Sequence, residues 1–141
     1  MLIKQLSVFL ENRSGRLTEV TVALGEAGIN LSAFSIAENS DFGILRMIVN
    51  NPEKALEVLK AKNYAVSLTD VVCLQCPNTP GSLAKALNIL STHEVFIEYM
   101  YAFSLGETAN VIIRTTSPQQ CIDVLKANHL ELLAASDLYR L

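Results

Sequence analysis

The sequence predicts an α+β protein made of two tandem βαββαβ units, and three observations lead there. One segment recurs: Asn12-Arg13-Ser14-Gly15-Arg16-Leu17 returns as Asn78-Thr79-Pro80-Gly81-Ser82-Leu83, with Asn, Gly and Leu each repeated 66 residues on. The same offset, without a gap, sets Leu24 on Leu90, Pro52 on Pro118 and Val58-Leu59-Lys60-Ala61 on Val124-Leu125-Lys126-Ala127. Within each copy the apolar period switches between strand-like and helix-like spacing in one fixed order. The copies divide at 1–70 and 71–141, leaving almost no linker.

Each unit opens on a strand, with Leu6, Val8 and Leu10 alternating in the first copy and Leu74 and Cys76 at the matching places in the second. A helix follows, its apolar stripe spaced i, i+3, i+4, i+7: Leu17, Val20, Thr21 and Leu24, then Leu83, Ala86, Leu87 and Leu90. Two β-rich runs come next, about Asn30 to Ala37 and Gly43 to Val49, around the polar turn Glu38-Asn39-Ser40-Asp41; Leu105-Gly106-Glu107 is the matching turn. Asn51-Pro52 and Ser117-Pro118 each put a capping side chain before a proline at the first helical position, which starts a second helix. Strands near Tyr64 to Leu68 and Leu130 to Ala134 complete the ferredoxin-like, split βαβ order, with antiparallel sheets and helices on one face.

Composition narrows the function. Half the residues are hydrophobic, 18% are charged and the net charge is -3, with no run of Lys or Arg. Such a chain has material for a core and no electrostatic footprint for nucleic acid or an anionic membrane. The apolar stretches fall short of the roughly 20 residues that span a bilayer. Met1 to Ser7 lacks the apolar region of a secretory signal, so a cytoplasmic location is expected. Three cysteines give no disulfide framework, and strand alternation sends Cys73 and Cys76 to opposite faces, against paired metal chelation.

The pattern Asn12-x-x-Gly15-x-Leu17, followed by Gly28-Ile29-Asn30-Leu31, resembles the ACT domain, a ligand-sensing module of amino-acid metabolism. Asn78-x-Pro80-Gly81-x-Leu83 resembles it a second time, and the two resemblances cover essentially the whole chain. The resemblance implies a non-catalytic regulatory protein of the stand-alone tandem type, without cofactor. It also implies an amino-acid ligand near the module interface, a metabolic enzyme as partner, and edge-to-edge pairing of modules through the second strand. A homo-oligomer, a dimer in the first instance, is the matching expectation.

The residues supply a physical reason for such binding. Backbone N–H groups at a helix N-terminus attract a carboxylate, Gly15 and Gly81 remove a Cβ from its path, and the amides of Asn12 and Asn78 offer donors and acceptors. The candidate site is therefore Asn12, Arg13, Ser14, Gly15, Arg16 and Leu17 with Asn30, together with Asn78, Thr79, Pro80, Gly81, Ser82 and Leu83. By the resemblance Asn30 is a second ligand contact, while its counterpart is Phe96, which favours the first loop. In the bland reading these glycines only turn the chain, Asn12 and Ser14 only cap a helix, and Arg13 and Arg16 are solvated.

Two further features enter the balance. Ile97, Tyr99, Tyr101 and Phe103 share one face of a strand and Phe96, Met100 and Ala102 the other, so the outer face should be covered by the other unit or another chain. His93 and His129 sit in separate places with no shared carboxylate motif, and Cys121 matches Ala55 as a core position, so no catalytic constellation is visible. The alternative to a sensor is an interaction module whose loops bind nothing and whose apolar strand docks on a partner enzyme.

Overall fold

A computed structural model describes residues 1–11, 13–38 and 41–140. The chain runs β1 (Ile3–Glu11), α1 (Arg16–Glu26), β2 (Leu31–Glu38), β3 (Phe42–Val49), α2 (Pro52–Ala61), β4 (Ala65–Pro77), α3 (Ser82–Thr92), β5 (Ile97–Leu105), β6 (Thr108–Thr115), α4 (Pro118–Ala127), β7 (Glu131–Leu132) and α5 (Ala135–Leu138). Two compact units emerge. The first holds Lys4–Thr69 with the stretch that begins at Leu138, and the second holds Met1–Ile3 with Asp70–Asp137. Both are βαββαβ units, as the repeat and its periodicity predict.

The strand order is β2-β3-β1-β4 in the first unit and β5-β6-β4-β7 in the second. Strand β4 is 13 residues long; its first residues close one unit and the rest open the next. The repeat extends to single residue pairs. Leu6 faces Met47 and Val8 faces Leu45 across β1 and β3; Val72 faces Ile113 and Leu74 faces Val111 across β4 and β6. Even the irregularity recurs, with a register shift between Leu31 and Ala33 in one hairpin and between Ile97 and Tyr99 in the other. A bulge inserted at the same place twice is a designed feature of the strand, not a defect.

One face of each sheet is closed by two helices. In the first unit Leu6, Val8 and Leu10 of β1 and Leu45 and Met47 of β3 pack with Val20 and Leu24 of α1 and Ala55 and Leu59 of α2. Val72, Leu74 and Cys76 meet Ala86, Leu90, Val111, Cys121 and Leu125 in the second. Each such side chain removed from water contributes on the order of 1.5–3 kcal/mol, which makes these faces the main source of stability.

The structure departs from the sequence reading at identifiable places. Leu17 is 42% exposed and Thr21 is exposed, its hydroxyl donating to the Leu17 and Thr18 carbonyls; Ala23 takes the core place instead. The α1 stripe is thus rotated from the one predicted, whereas Leu83 and Leu87 of α3 do pack on their core. The last strand shrinks to Glu131–Leu132, paired with Gln75 and Leu74, and α5 follows. Ala134 and Ala135 explain that switch, since alanine favours helix and is depleted in strands. Phe96 and Met100 are 68% and 40% exposed, so their own unit leaves open the strand face that the sequence expects the other unit or another chain to cover. Asn39 and Ser40 of the first predicted turn lie outside the described residues. The second turn is a two-residue hairpin, with Gly106 at φ 63.

The caps of α2 and α4 also differ. Asn51 accepts the Lys54 amide N–H at 3.2 Å, as predicted, but the Ser117 side chain makes no capping bond. Asn51→Ala should therefore cost about 1 kcal/mol. Ser117→Ala should cost less than half as much. Urea unfolding of the two variants checks the difference.

Candidate functional site

The first step of the site is a backbone conformation. Gly15 precedes α1 at φ 87 and Gly81 precedes α3 at φ 88, in the left-handed region where L side chains are strained. A Cβ added at either position would meet nothing within 4 Å. Within the chain it is the backbone angle, not crowding, that requires glycine here.

Because the cap position is a glycine, no described side chain caps either helix. In α1 the Arg16 N–H turns back to the Arg13 carbonyl at 3.4 Å, and the Glu19 N–H reaches the Gly15 carbonyl at 3.0 Å. The N–H groups of Leu17 and Thr18 lie between them at the positive end of the helix dipole, without an intrahelical partner, where an anion is favoured. Beside them is a small cavity of about 170 Å³ lined by Leu10, Glu11, Arg13, Arg16 and Leu17, with Ile36, Glu38 and Gly43 of the β2–β3 hairpin. It brings the first strand-to-helix loop and the hairpin of the same unit together.

Arg16 is not the solvated loop residue of the bland reading. Its side chain is only 23% exposed, and Nη1 meets Glu19 Oε2 at 3.0 Å while Nη2 lies 3.8 Å from Glu11 Oε1. The guanidinium sits over the Tyr64 ring, 5.0 Å from its centroid, and the Tyr64 hydroxyl donates to Glu19 Oε2 at 2.8 Å. Arg16 Nε is buried and has no hydrogen-bond partner among the described residues. Arg13, by contrast, is 67% exposed and touches Glu11 at 3.5 Å. Both signs of charge thus border the open helix terminus.

The predicted residues divide accordingly. Arg13, Arg16 and Leu17 line the cavity, with Ser14 and Gly15 exposed in the same loop, while Asn12 lies outside the described residues. Asn30 is not brought to this loop. It sits past the far end of α1, whose 11 residues span about 16 Å, and there its backbone N–H and carbonyl pair with the side chain and N–H of Asn50. In the second unit Asn78 is committed to the hairpin, donating from Nδ2 to the Gly106 carbonyl at 3.3 Å and from its N–H to the Glu107 carbonyl at 2.7 Å. The hydroxyls of Thr79 and Ser82 bond each other at 2.7 Å, Pro80 and Gly81 are exposed, and Leu83 is half-buried.

Sequence reasoning missed Glu11, Glu19, Tyr64, Ile36 and Glu38. Glu11 and Glu19 flank the motif and carried a signal, as the only carboxylates near its two arginines; Tyr64 is far away in sequence and carried none. The cysteines fall as alternation predicts: Cys76 joins the helix-side core and Cys73 does not. Burial pushes the Cys73 thiol up to about 12 and the Cys121 thiol to about 11, so neither ionises near neutral pH. Among the described residues no group of His, Cys, Asp and Glu could hold a metal ion, and no helix is long and apolar enough to cross a membrane.

Comparison with known proteins extends these observations. The family model described as an ACT domain pair matches residues 1–141. A crystal structure of a protein from Bacteroides thetaiotaomicron is 60% identical, with TM-score 0.97 over 100% of this chain and 98% of that one. The ligand-free regulatory subunit of aspartate kinase from Thermus thermophilus shares the fold at 18% identity, with TM-score 0.66 over 89% of this chain and 93% of that one. The corresponding subunit from Thermus flavus gives 16% identity and TM-score 0.63, over 92% and 94%. No curated protein matches the chain.

The Glu19 cluster has a titration signature. The Tyr64 hydrogen bond, with further help from Arg16, holds the Glu19 carboxyl below its ordinary 4.5. Lowering a folded-state carboxylate pKa gives stability that is present above the unfolded value and is lost as pH falls through the folded one. Tyr64→Phe should therefore move the Glu19 midpoint up toward 4.5 and flatten the acid limb of the stability profile. Carboxyl ¹³C NMR titration of both proteins checks it.

Proposed function

The chain belongs to the ACT domain-pair family, and on that premise we propose that it is a non-catalytic regulatory protein that binds an amino acid at its first strand-to-helix loop. The observation that carries this reading is the N-terminus of α1, which no side chain caps among the described residues, bordered by both charges, Arg13 and Arg16 beside Glu11. An amino acid is a zwitterion, and such a site offers N–H groups and guanidinium to its carboxylate and a carboxylate to its ammonium.

The second loop is the weaker candidate. Its Asn78 amide and its Thr79 and Ser82 hydroxyls are already bonded, and its cap region carries no arginine. Regulatory subunits of aspartate kinase share the fold, which supports action through a metabolic enzyme as partner. Ligand contacts ordering the loop and hairpin of this unit are the differential contacts that such regulation needs.

A second reading has its own support. The outermost strands expose Phe34 at 65% and Leu105 at 69%, with Phe96 at 68% just before β5, which fits self-association as a dimer or docking on a partner enzyme without any ligand.

A thermal-shift screen against the common amino acids separates the readings. One chemical class should stabilise the wild type, by about 2.7 kcal/mol at 100 times its dissociation constant. Arg13→Ala and Glu11→Gln change exposed side chains and should fold normally while losing most of that response. A screen in which no amino acid shifts the wild type overturns the sensor reading and puts the interaction module first.

A further inference from the structure

We propose that the first unit selects amino acids with an aromatic or large aliphatic side chain, which it seats on Phe9, Phe42 and Tyr64; this inference rests on the amino-acid reading above. A second cavity, of about 320 Å³, adjoins the loop and shares Leu10, Glu11 and Arg16 with the first. Its remaining wall is Phe9, Phe42 and Tyr64 with Asn63 and Ala65. The Phe9 and Phe42 rings lie 6.2 Å apart at 57°, and Tyr64 carries Arg16 against its ring.

The repeat provides an internal control. The second unit builds a cavity of about 430 Å³ from seven of the same eight backbone positions, 66 residues on, with Glu107 as its eighth residue. There Gln75 stands for Phe9, Thr108 for Phe42, Leu130 for Tyr64 and Pro77 for Glu11, while Ser82, the counterpart of Arg16, is not in its lining. The fold therefore makes the cavity and does not require its aromatic wall. Nor does the core need the two phenylalanine rings, since Phe9 and Phe42 are 46% and 41% exposed and lie outside the buried cluster, whereas Tyr64 also packs against it. Half-exposed aromatics beside a paired acid and base form a surface with apolar and zwitterionic complements side by side, the usual composition of a small-molecule site.

The polar end has exchangeable partners. The Arg16 Nη2 contact with Glu11 is long at 3.8 Å, and Arg16 Nε is unpaired among the described residues. A ligand carboxylate is the stronger partner for that guanidinium. Its arrival frees Glu11 to accept the ligand ammonium, while Glu19 and Tyr64 keep the guanidinium in place.

Calorimetric titration of the purified chain with L-phenylalanine, L-leucine, L-serine and phenylacetate tests the proposal. L-Phenylalanine and L-leucine should bind at least about tenfold more tightly than L-serine, and phenylacetate, which lacks the ammonium, should bind more weakly than L-phenylalanine. The double variant F9Q/F42T transplants the second unit's residues onto exposed positions; it should keep the wild-type melting curve and lose the preference. Equal binding of serine and phenylalanine, or a preference unchanged in the variant, overturns the aromatic assignment and leaves the sensor reading standing. Phenylacetate binding as well as L-phenylalanine overturns the zwitterion. If no amino acid binds at all, the sensor reading fails and the assignment falls with it.

Discussion

The structure turns on the left-handed glycine that joins the first strand of each unit to its first helix. A residue at φ 87 lets the chain leave β1 and enter α1 within a few residues, so that Val20 and Leu24 arrive over Leu6 and Val8. Any L side chain there is strained by roughly 1–2 kcal/mol. The same residue settles the chemistry of the helix end. A glycine cap has no oxygen to offer the first N–H groups, and no other side chain among the described residues caps them at the positive pole of the dipole. Fold closure and the polarity of the helix end thus come from one backbone choice.

What the sequence made legible was what repeats. A constant offset predicts the order of elements, and the structure carries it down to the Leu6–Met47 and Val72–Ile113 pairs and the shared register shift. Where reading failed, the cause is local competition or distance. Thr21 fits a helical stripe by spacing, yet its hydroxyl bonds the backbone behind it and faces out. Leu130 to Ala134 looks β-prone, yet only Glu131–Leu132 pairs as a strand before Ala134 and Ala135 lead into α5. The glycines were legible as necessary, and within the chain it is their backbone angle that requires them.

The polar site was half legible for a different reason. Arg13, Arg16 and Leu17 lie inside a recognisable motif, but what fixes Arg16 is Tyr64, which reaches it only once α2 has turned the chain back to β4. No period or spacing encodes a contact between a loop and the entry of a strand some 48 residues later. Asn30 shows the converse error: a residue placed in the site by resemblance is held by Asn50 at the far end of α1 within its own unit.

The two halves keep the same pairs in their cores and differ at the strand ends, and this contrast bears on function. A core position is constrained from every side by close packing, so Leu45 and Val111, or Ala55 and Cys121, differ little in role. Strand-end positions face water and carry no such constraint. Glu11, Arg16 and Tyr64 nevertheless form a connected arrangement in one unit, while Pro77, Ser82 and Leu130 form none of its ion pairs or ring contacts. In Arg16, two carboxylates and a ring hold in place a side chain that would lose roughly 2 kcal/mol of rotamer entropy on being fixed. Ordering a cation so firmly at an otherwise exposed edge stabilises the fold little, because exposed ion pairs contribute about 0–1 kcal/mol each. A cation ordered in this way is what the proposed amino-acid site would use, because a preorganised partner costs less to order on binding.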